Sequence, residues 1–162
     1  VGTRPYGYMG LGDISVLVFF GWLSVAGTYY LQAGTFDSVV MLPATACGFL
    51  ATAVLNINNL RDIENDAVNG KNTLAVRLGP IKARVYHVAL LIGAVVCLAL
   101  FALVNLKSAF GWLFVLAIPM LYKHGRYVFT HRTPEAMRPM LENMVKSALL
   151  ANVLFAIGTV LS

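Results

Sequence analysis

Uncharged runs partition the chain: residues 14–36, 38–60, 85–106, 108–122 and 147–162 hold no Asp, Glu, Lys or Arg. A helix needs about 20 predominantly apolar residues to cross the hydrocarbon core of a bilayer. The first three runs reach that length, and the last two reach it by drawing on their flanks. The pattern predicts five spanning helices, near 14–33, 39–60, 85–105, 109–127 and 143–162. That is an all-α, polytopic membrane helix bundle, with 1–162 forming one membrane domain.

Composition sharpens this reading. Only 12% of residues are charged, about half the usual share of a soluble domain. The bases are also unevenly placed. Arg61, Lys71, Arg77, Lys82 and Arg84 follow the second apolar run, and Lys123, Arg126, Arg132, Arg138 and Lys146 follow the fourth. Lys107 stands between the third and fourth runs, on the opposite side. The positive-inside rule makes the two crowded loops cytoplasmic and the C-terminus external, as in a multi-pass protein of a bacterial cell (inner) membrane. The net charge of +5 is therefore a topology signal, and nucleic acid is not an expected partner. Cys47 and Cys97 fall inside separate spans and read as small apolar residues, with no disulfide or metal implied. His124 and His131 lie among bases and read as solvated.

The lead segment, VGTRPYGYMGLGD, has no initiator Met and no signal-peptide pattern, which suggests part of a longer chain. Tyr6 and Tyr8 suit headgroup level, and Asp13 is placed to cap the first helix. Thr133-Pro134-Glu135 reads as a cap, a first-turn proline and a first-turn acid opening the last helix.

The chemistry concentrates at the end of the second span. Asn58, Asp62 and Asp66 recur every fourth residue, which keeps them near one helical face and about 6 Å apart along the axis. Oxygen ligands so spaced suit a hard cation such as Mg²⁺, which takes one or two carboxylates and completes its shell with water and phosphate. With no His or Cys nearby, zinc and copper are not expected. The same acids also read as a solvated helix end, with Arg61 pairing at the surface. Spacing alone leaves both readings open. Asn58 and Asn59, amides in the last turn of an apolar helix, need partners that a ligand cavity would supply. Lys71 and Arg77 follow closely enough to meet a diphosphate, whereas Lys82 and Arg84 read as ordinary positive-inside residues.

The stretch Asn58-Asn59-Leu-Arg61-Asp62-Ile-Glu-Asn-Asp66-Ala-Val-Asn-Gly70-Lys71-Asn-Thr73-Leu-Ala-Val-Arg77-Leu-Gly79 resembles the second aspartate motif of the UbiA superfamily of intramembrane prenyltransferases. Paired Asn58-Asn59 is similar to the branch acting on 1,4-dihydroxy-2-naphthoate. So is Tyr8-Met-Gly10-Leu11-Gly12-Asp13, ahead of a helix ending Gly27-Thr28-Tyr29-Tyr30-Leu31-Gln32. The resemblance implies a nine-helix bundle in which two aspartate motifs hold Mg²⁺ and a polyprenyl diphosphate. It makes Asp62 and Asp66 the metal-binding, catalytic acids, with Asn58 as a third ligand. It makes Asn58, Asn59, Arg61, Lys71, Arg77 and Tyr8 the substrate and diphosphate contacts. The implied reaction transfers the polyprenyl group to 1,4-dihydroxy-2-naphthoate with loss of its carboxylate, giving a demethylmenaquinone for menaquinone biosynthesis. The five expected helices match the last five of nine. The partner motif would lie in an N-terminal half absent from this chain, and the chain alone is expected to be inactive.

Two rivals remain on sequence. One is a prenyltransferase of the same superfamily with a 4-hydroxybenzoate or homogentisate acceptor, against which the Asn58-Asn59 pair argues. The other is a transporter whose acids line an ion path, although such a site belongs near the bilayer midplane. A purely structural membrane subunit would not need so long a motif.

Overall fold

The computed structural model describes residues 10–162, and Tyr6 and Tyr8 lie outside them. The described residues are almost wholly helical. The first span, Gly12–Ala33, consists of α1 (Gly12–Val16), a π-helical stretch (Leu17–Ala26) and α2 (Gly27–Ala33). A 3₁₀ turn, Ser38–Val40, capped by Asp37 accepting from the Val39 amide at 3.0 Å, leads into α3 (Met41–Arg61). Next come the short α4 (Ile63–Val68) and the long α5 (Leu74–Asn105). A 3₁₀ stretch (Ala109–Ala117) runs into α6 (Ile118–Thr130), and α7 (Arg138–Val160) closes the chain.

The bundle is a multi-pass membrane protein, with one departure from the expected count. Four segments are long and apolar enough to cross a membrane: Gly12–Ala33, Ser38–Arg61, Leu74–Asn105 and Glu135–Val160. The expected fifth span, 109–127, is helical but begins as the 3₁₀ stretch. Its α-helical part carries Lys123, His124 and Arg126, and this polar load separates it from the other four. The expected loop up to Lys82 is also largely helical, because α5 starts at Leu74. Thr73 caps it, accepting from the Val76 amide at 3.3 Å. Gly79 then breaks the helix at φ 75°, ψ 165°, and Pro80 restarts it. A left-handed φ of that kind is open to glycine at little steric cost.

Helix α3 is the hub, packed against the first span, α5 and α7. Its inward positions Ala44, Ala46, Leu50, Ala53, Ile57 and Leu60 are buried. Lipid gives no hydrophobic reward for helix association, so close backbone approach through small residues does this work. Gly21 of the first span sits against Gly48 of α3: a Cβ on Gly21 would lie 2.6 Å from the Ala44 carbonyl oxygen. A Cβ on Gly48 would lie 2.5 Å from a Leu17 methyl and 3.0 Å from the Leu17 carbonyl oxygen. Gly48→Leu is therefore expected to destabilise the bundle by about 1–3 kcal/mol through overpacking, seen as a lower thermal midpoint in detergent. Gly27→Ala, whose Cβ would meet nothing within 4 Å, is the matched control and should not lower it.

Four polar residues correct the sequence reading. His124 is buried, not solvated: its Nε2 lies 3.0 Å from His87 Nε2 and its Nδ1 lies 3.1 Å from Asn143 Oδ1, tying α5, α6 and α7 together. Arg84 is no plain topology charge. It is buried and donates to the carbonyls of Pro80, His131 and Arg132 at 2.7, 3.3 and 2.8 Å, fastening α5 to the α6–α7 connection. Asp13 does not cap, because the helix starts at Gly12 after Leu11 and Asp13 is buried within its first turn. The cap expected at Thr133 is likewise displaced: Pro134 precedes a 3₁₀ turn, Glu135–Met137, and Pro139 sits in the first turn of α7. Cys47 and Cys97 are free thiols.

Candidate active site at the Asp62 and Asp66 turns

Helix α3 ends at Arg61, and Asp62 leaves helical geometry at φ −101°, ψ 9° before α4 begins. The helical register survives this bend. The Asp62 amide donates to the Asn58 carbonyl at 3.1 Å and the Asp66 amide to the Asp62 carbonyl at 2.8 Å. Asn58, Asp62 and Asp66 therefore occupy successive turns, as their spacing requires.

The two carboxylates have different surroundings. Arg61 grips Asp62 as a fork, Nε donating to Oδ1 at 2.8 Å and Nη2 to Oδ2 at 2.6 Å, while Nη2 also donates to Asn58 Oδ1 at 2.8 Å. Such bidentate, charge-assisted bonds are the strong ones. The Arg61 fork, with the charges of Lys71 and Arg138 behind it, holds the Asp62 carboxyl below the usual carboxylate range against a smaller opposing effect of burial. Asp62 is thus ionised at neutral pH. Its side chain, 32% exposed, faces a cavity of 420 Å³ lined by Arg61, Pro134, Glu135 and Arg138.

Asp66 is only 6% exposed, so it is not a solvated helix end. Lys71 Nζ donates to both of its oxygens, at 3.1 and 3.0 Å, and the Lys71 amide donates to the Asp66 carbonyl at 2.8 Å. Gly70, at φ 70°, turns the chain back so that lysine and aspartate meet. Asn58, Asn59, Lys71 and Thr73 line a second cavity, of 100 Å³, together with Gly10, Gly12 and Asp13. Of the ladder, Asp62 lines the larger, mixed-charge cavity and Asn58 the smaller one, while Asp66 meets the smaller one through Lys71. Arg77 brings its guanidinium against Gly10, which lines this smaller cavity.

The described candidates Asn58, Asn59, Arg61, Asp62, Asp66 and Lys71 thus gather at one end of α3, and Arg77 stands against Gly10 in the lining of the smaller cavity. Sequence reasoning missed Arg138, which it counted only as a topology charge, and Asp13. The donors are all oxygen and sit on adjacent turns, which fits a hard divalent cation. Among the described residues, no three His, Cys, Asp or Glu side chains converge to cage a metal. A cation here would complete its shell with water and phosphate, which is the habit of Mg²⁺.

A sequence model of the UbiA prenyltransferase family matches residues 3–156. The chain belongs to the UbiA prenyltransferase family. Within this family it is 67% identical, over its full length, to the 1,4-dihydroxy-2-naphthoate octaprenyltransferase of Escherichia coli strain K12, and covers 53% of that protein. It is 58% identical to the Haemophilus influenzae protein of the same name, over 98% of the chain and 51% of the relative. Against the Mycobacterium leprae protein of that name the identity is 38%, over 96% of the chain and 51% of the relative. The chain spans about half the length of these curated UbiA relatives. No solved structure matches it.

Proposed function

We propose that this chain carries the second metal and diphosphate motif of a 1,4-dihydroxy-2-naphthoate polyprenyltransferase. The observation that carries the reading is the buried Asp66 carboxylate, paired with a part-exposed Lys71, one helical turn beyond the Arg61-held Asp62 at the end of an apolar span. A carboxylate is costly to bury even with a cation beside it, and a binding site for a charged head is a reason to keep one. The names of the UbiA relatives supply the reaction class and the naphthoate acceptor.

Asp62 and Asp66, with the Asn58 amide oxygen, would hold Mg²⁺. When bound, that ion supplies Lewis-acid assistance to departure of the diphosphate. Lys71 and Arg61 neutralise the two carboxylates, and with a cation bound there they would be available to donate to the diphosphate oxygens. Arg138 adds positive charge across the larger cavity. The apolar body of the bundle suits a polyprenyl tail, and the motif end of the spans suits a charged head, placed on the cytoplasmic side of the cell membrane. Asn59 lines the smaller cavity, where an acceptor ring would approach.

The test is acceptor choice. The chain, joined to a complementing N-terminal half, is supplied with octaprenyl diphosphate, Mg²⁺ and one of three acceptors. Demethylmenaquinol, with release of CO2 and diphosphate, is expected from 1,4-dihydroxy-2-naphthoate and is read as demethylmenaquinone after oxidation in air, with little product from 4-hydroxybenzoate or homogentisate. Product from either of the latter alone would overturn the acceptor assignment.

A further inference from the structure

The buried side-chain atoms left without a hydrogen-bond partner among the described residues lie outside the aspartate ladder. Asp13 is 4% exposed on the first turn of α1, and its Oδ1 has no hydrogen-bond partner among the described residues. Asn56 of α3 is fully buried, and neither its amide nitrogen nor its amide oxygen has one. Buried donors and acceptors are satisfied in the great majority of cases, and leaving one unmade forfeits its full desolvation. Intramembrane acids are kept for use.

These groups are close in the fold. The Thr52 hydroxyl lies 3.5 Å from the Asp13 carbonyl oxygen, docking the start of α1 one turn along α3 from Asn56. Asn59 follows on the same face and is 4% exposed. The Tyr86 phenol of α5 faces the Asp13 carboxyl. Asp13 and Asn59 line the 100 Å³ cavity with Lys71, whose ammonium holds Asp66. The cavity thus has an acceptor-rich floor and a cationic wall, the wall shared with the diphosphate site.

We propose that Asp13, supported by Asn56 and Asn59, forms the floor of the aromatic acceptor site and accepts a hydrogen bond from a ring hydroxyl, while the ring carboxylate turns to Lys71. This rests on the prenyl-transfer reading above and extends it to residues outside the aspartate motif. The polarity follows from charge: a carboxylate is repelled by Asp13 and attracted by Lys71, whereas a hydroxyl hydrogen is what the unpartnered Oδ1 lacks. At 100 Å³ the cavity is smaller than a usual ligand pocket. It therefore takes one edge of the ring, and the rest of the acceptor lies toward the departing diphosphate. Asp13 then sets which ring edge enters, and so which ring carbon meets the prenyl group.

The experiment uses the complemented enzyme and varies both substrates. Asp13→Asn is expected to lower kcat/KM for 1,4-dihydroxy-2-naphthoate by about 10- to 100-fold, the usual effect of losing a charged hydrogen-bond partner of a substrate hydroxyl. The KM for the prenyl diphosphate should stay within about twofold, since the aspartate ladder is intact. The monomethyl ethers of the acceptor give a second readout. The parent enzyme should reject the ether blocked at the hydroxyl facing Asp13, and Asp13→Asn should lose that discrimination. If Asp13→Asn lowers the thermal midpoint, Asn56→Ser supports the same comparison with the carboxylate in place. Unchanged acceptor kinetics and unchanged ether discrimination in both variants, with an active parent, would mean that a buried water satisfies these groups and would overturn the acceptor floor alone. A parent that prenylates none of the acceptors would overturn the proposed function, and this inference with it.

Discussion

Asp66→Ala is expected to lower prenyl transfer by about 10²- to 10³-fold, the range seen when one preorganised electrostatic contact to a reacting centre is removed. Asp62→Ala should fall in the same range, and Glu64→Gln, on the exposed face of α4, should be near neutral. Asp66 carries the larger structural consequence. Its removal strands the Lys71 ammonium beside a site from which water is mostly excluded. Lys71 keeps 29% of its side chain exposed, so the loss of stability should fall below the about 3–5 kcal/mol of a fully buried broken pair. Activity and stability can be separated by a second change. Asp66→Asn combined with Lys71→Met removes both charges and should recover much of the thermal midpoint while leaving turnover lost. Full turnover in Asp66→Ala would show that the acid is structural. Recovery of turnover in the double variant would show that the pair only holds the loop.

The spans were legible because a chain in lipid has few alternatives to the helix, and uncharged runs mark where lipid begins and ends. The ladder was legible for a related reason: backbone hydrogen bonds carry the register of α3 through the bend at Asp62, so a spacing of four kept its meaning. Where sequence reading failed, the determining physics was tertiary or turned on one residue. Asp13 looks like a cap, and a helix starting two residues later, at Ile14, would have made it one; beginning at Gly12, the helix draws the carboxyl inside. Helix limits move by that much on small energies. Residues 74–78 looked like loop because Gly79-Pro80 and the flanking bases hide a capped turn. His124 looked solvated between Lys123 and Arg126, although Leu121, His124, Gly125 and Val128 share one helical face and are all buried. That periodicity was available in the sequence and would have found it. The cation that each carboxylate chooses was not, because Arg61 and Lys71 are both near enough in sequence to serve either acid.

Chelation of divalent metal is expected to abolish turnover in the complemented enzyme, and readdition of Mg²⁺ to restore it. Asp62 is ionised at neutral pH, held so by Arg61, so no proton must leave it before a cation binds. An all-oxygen donor set gives zinc or copper no particular advantage, and neither should be needed for recovery. A stability measurement separates metal binding from chemistry. A ligand that binds only the folded state adds about 2.7 kcal/mol at a hundredfold excess over Kd, enough to raise the thermal midpoint by several degrees. Prenyl diphosphate should give that rise only with Mg²⁺ present, because without the cation the diphosphate confronts two carboxylates already matched by Arg61 and Lys71. Asp62→Ala and Asp66→Ala should abolish the Mg²⁺-dependent part. A rise of equal size in chelator would mean that basic side chains alone hold the diphosphate, with the two acids serving only to position them.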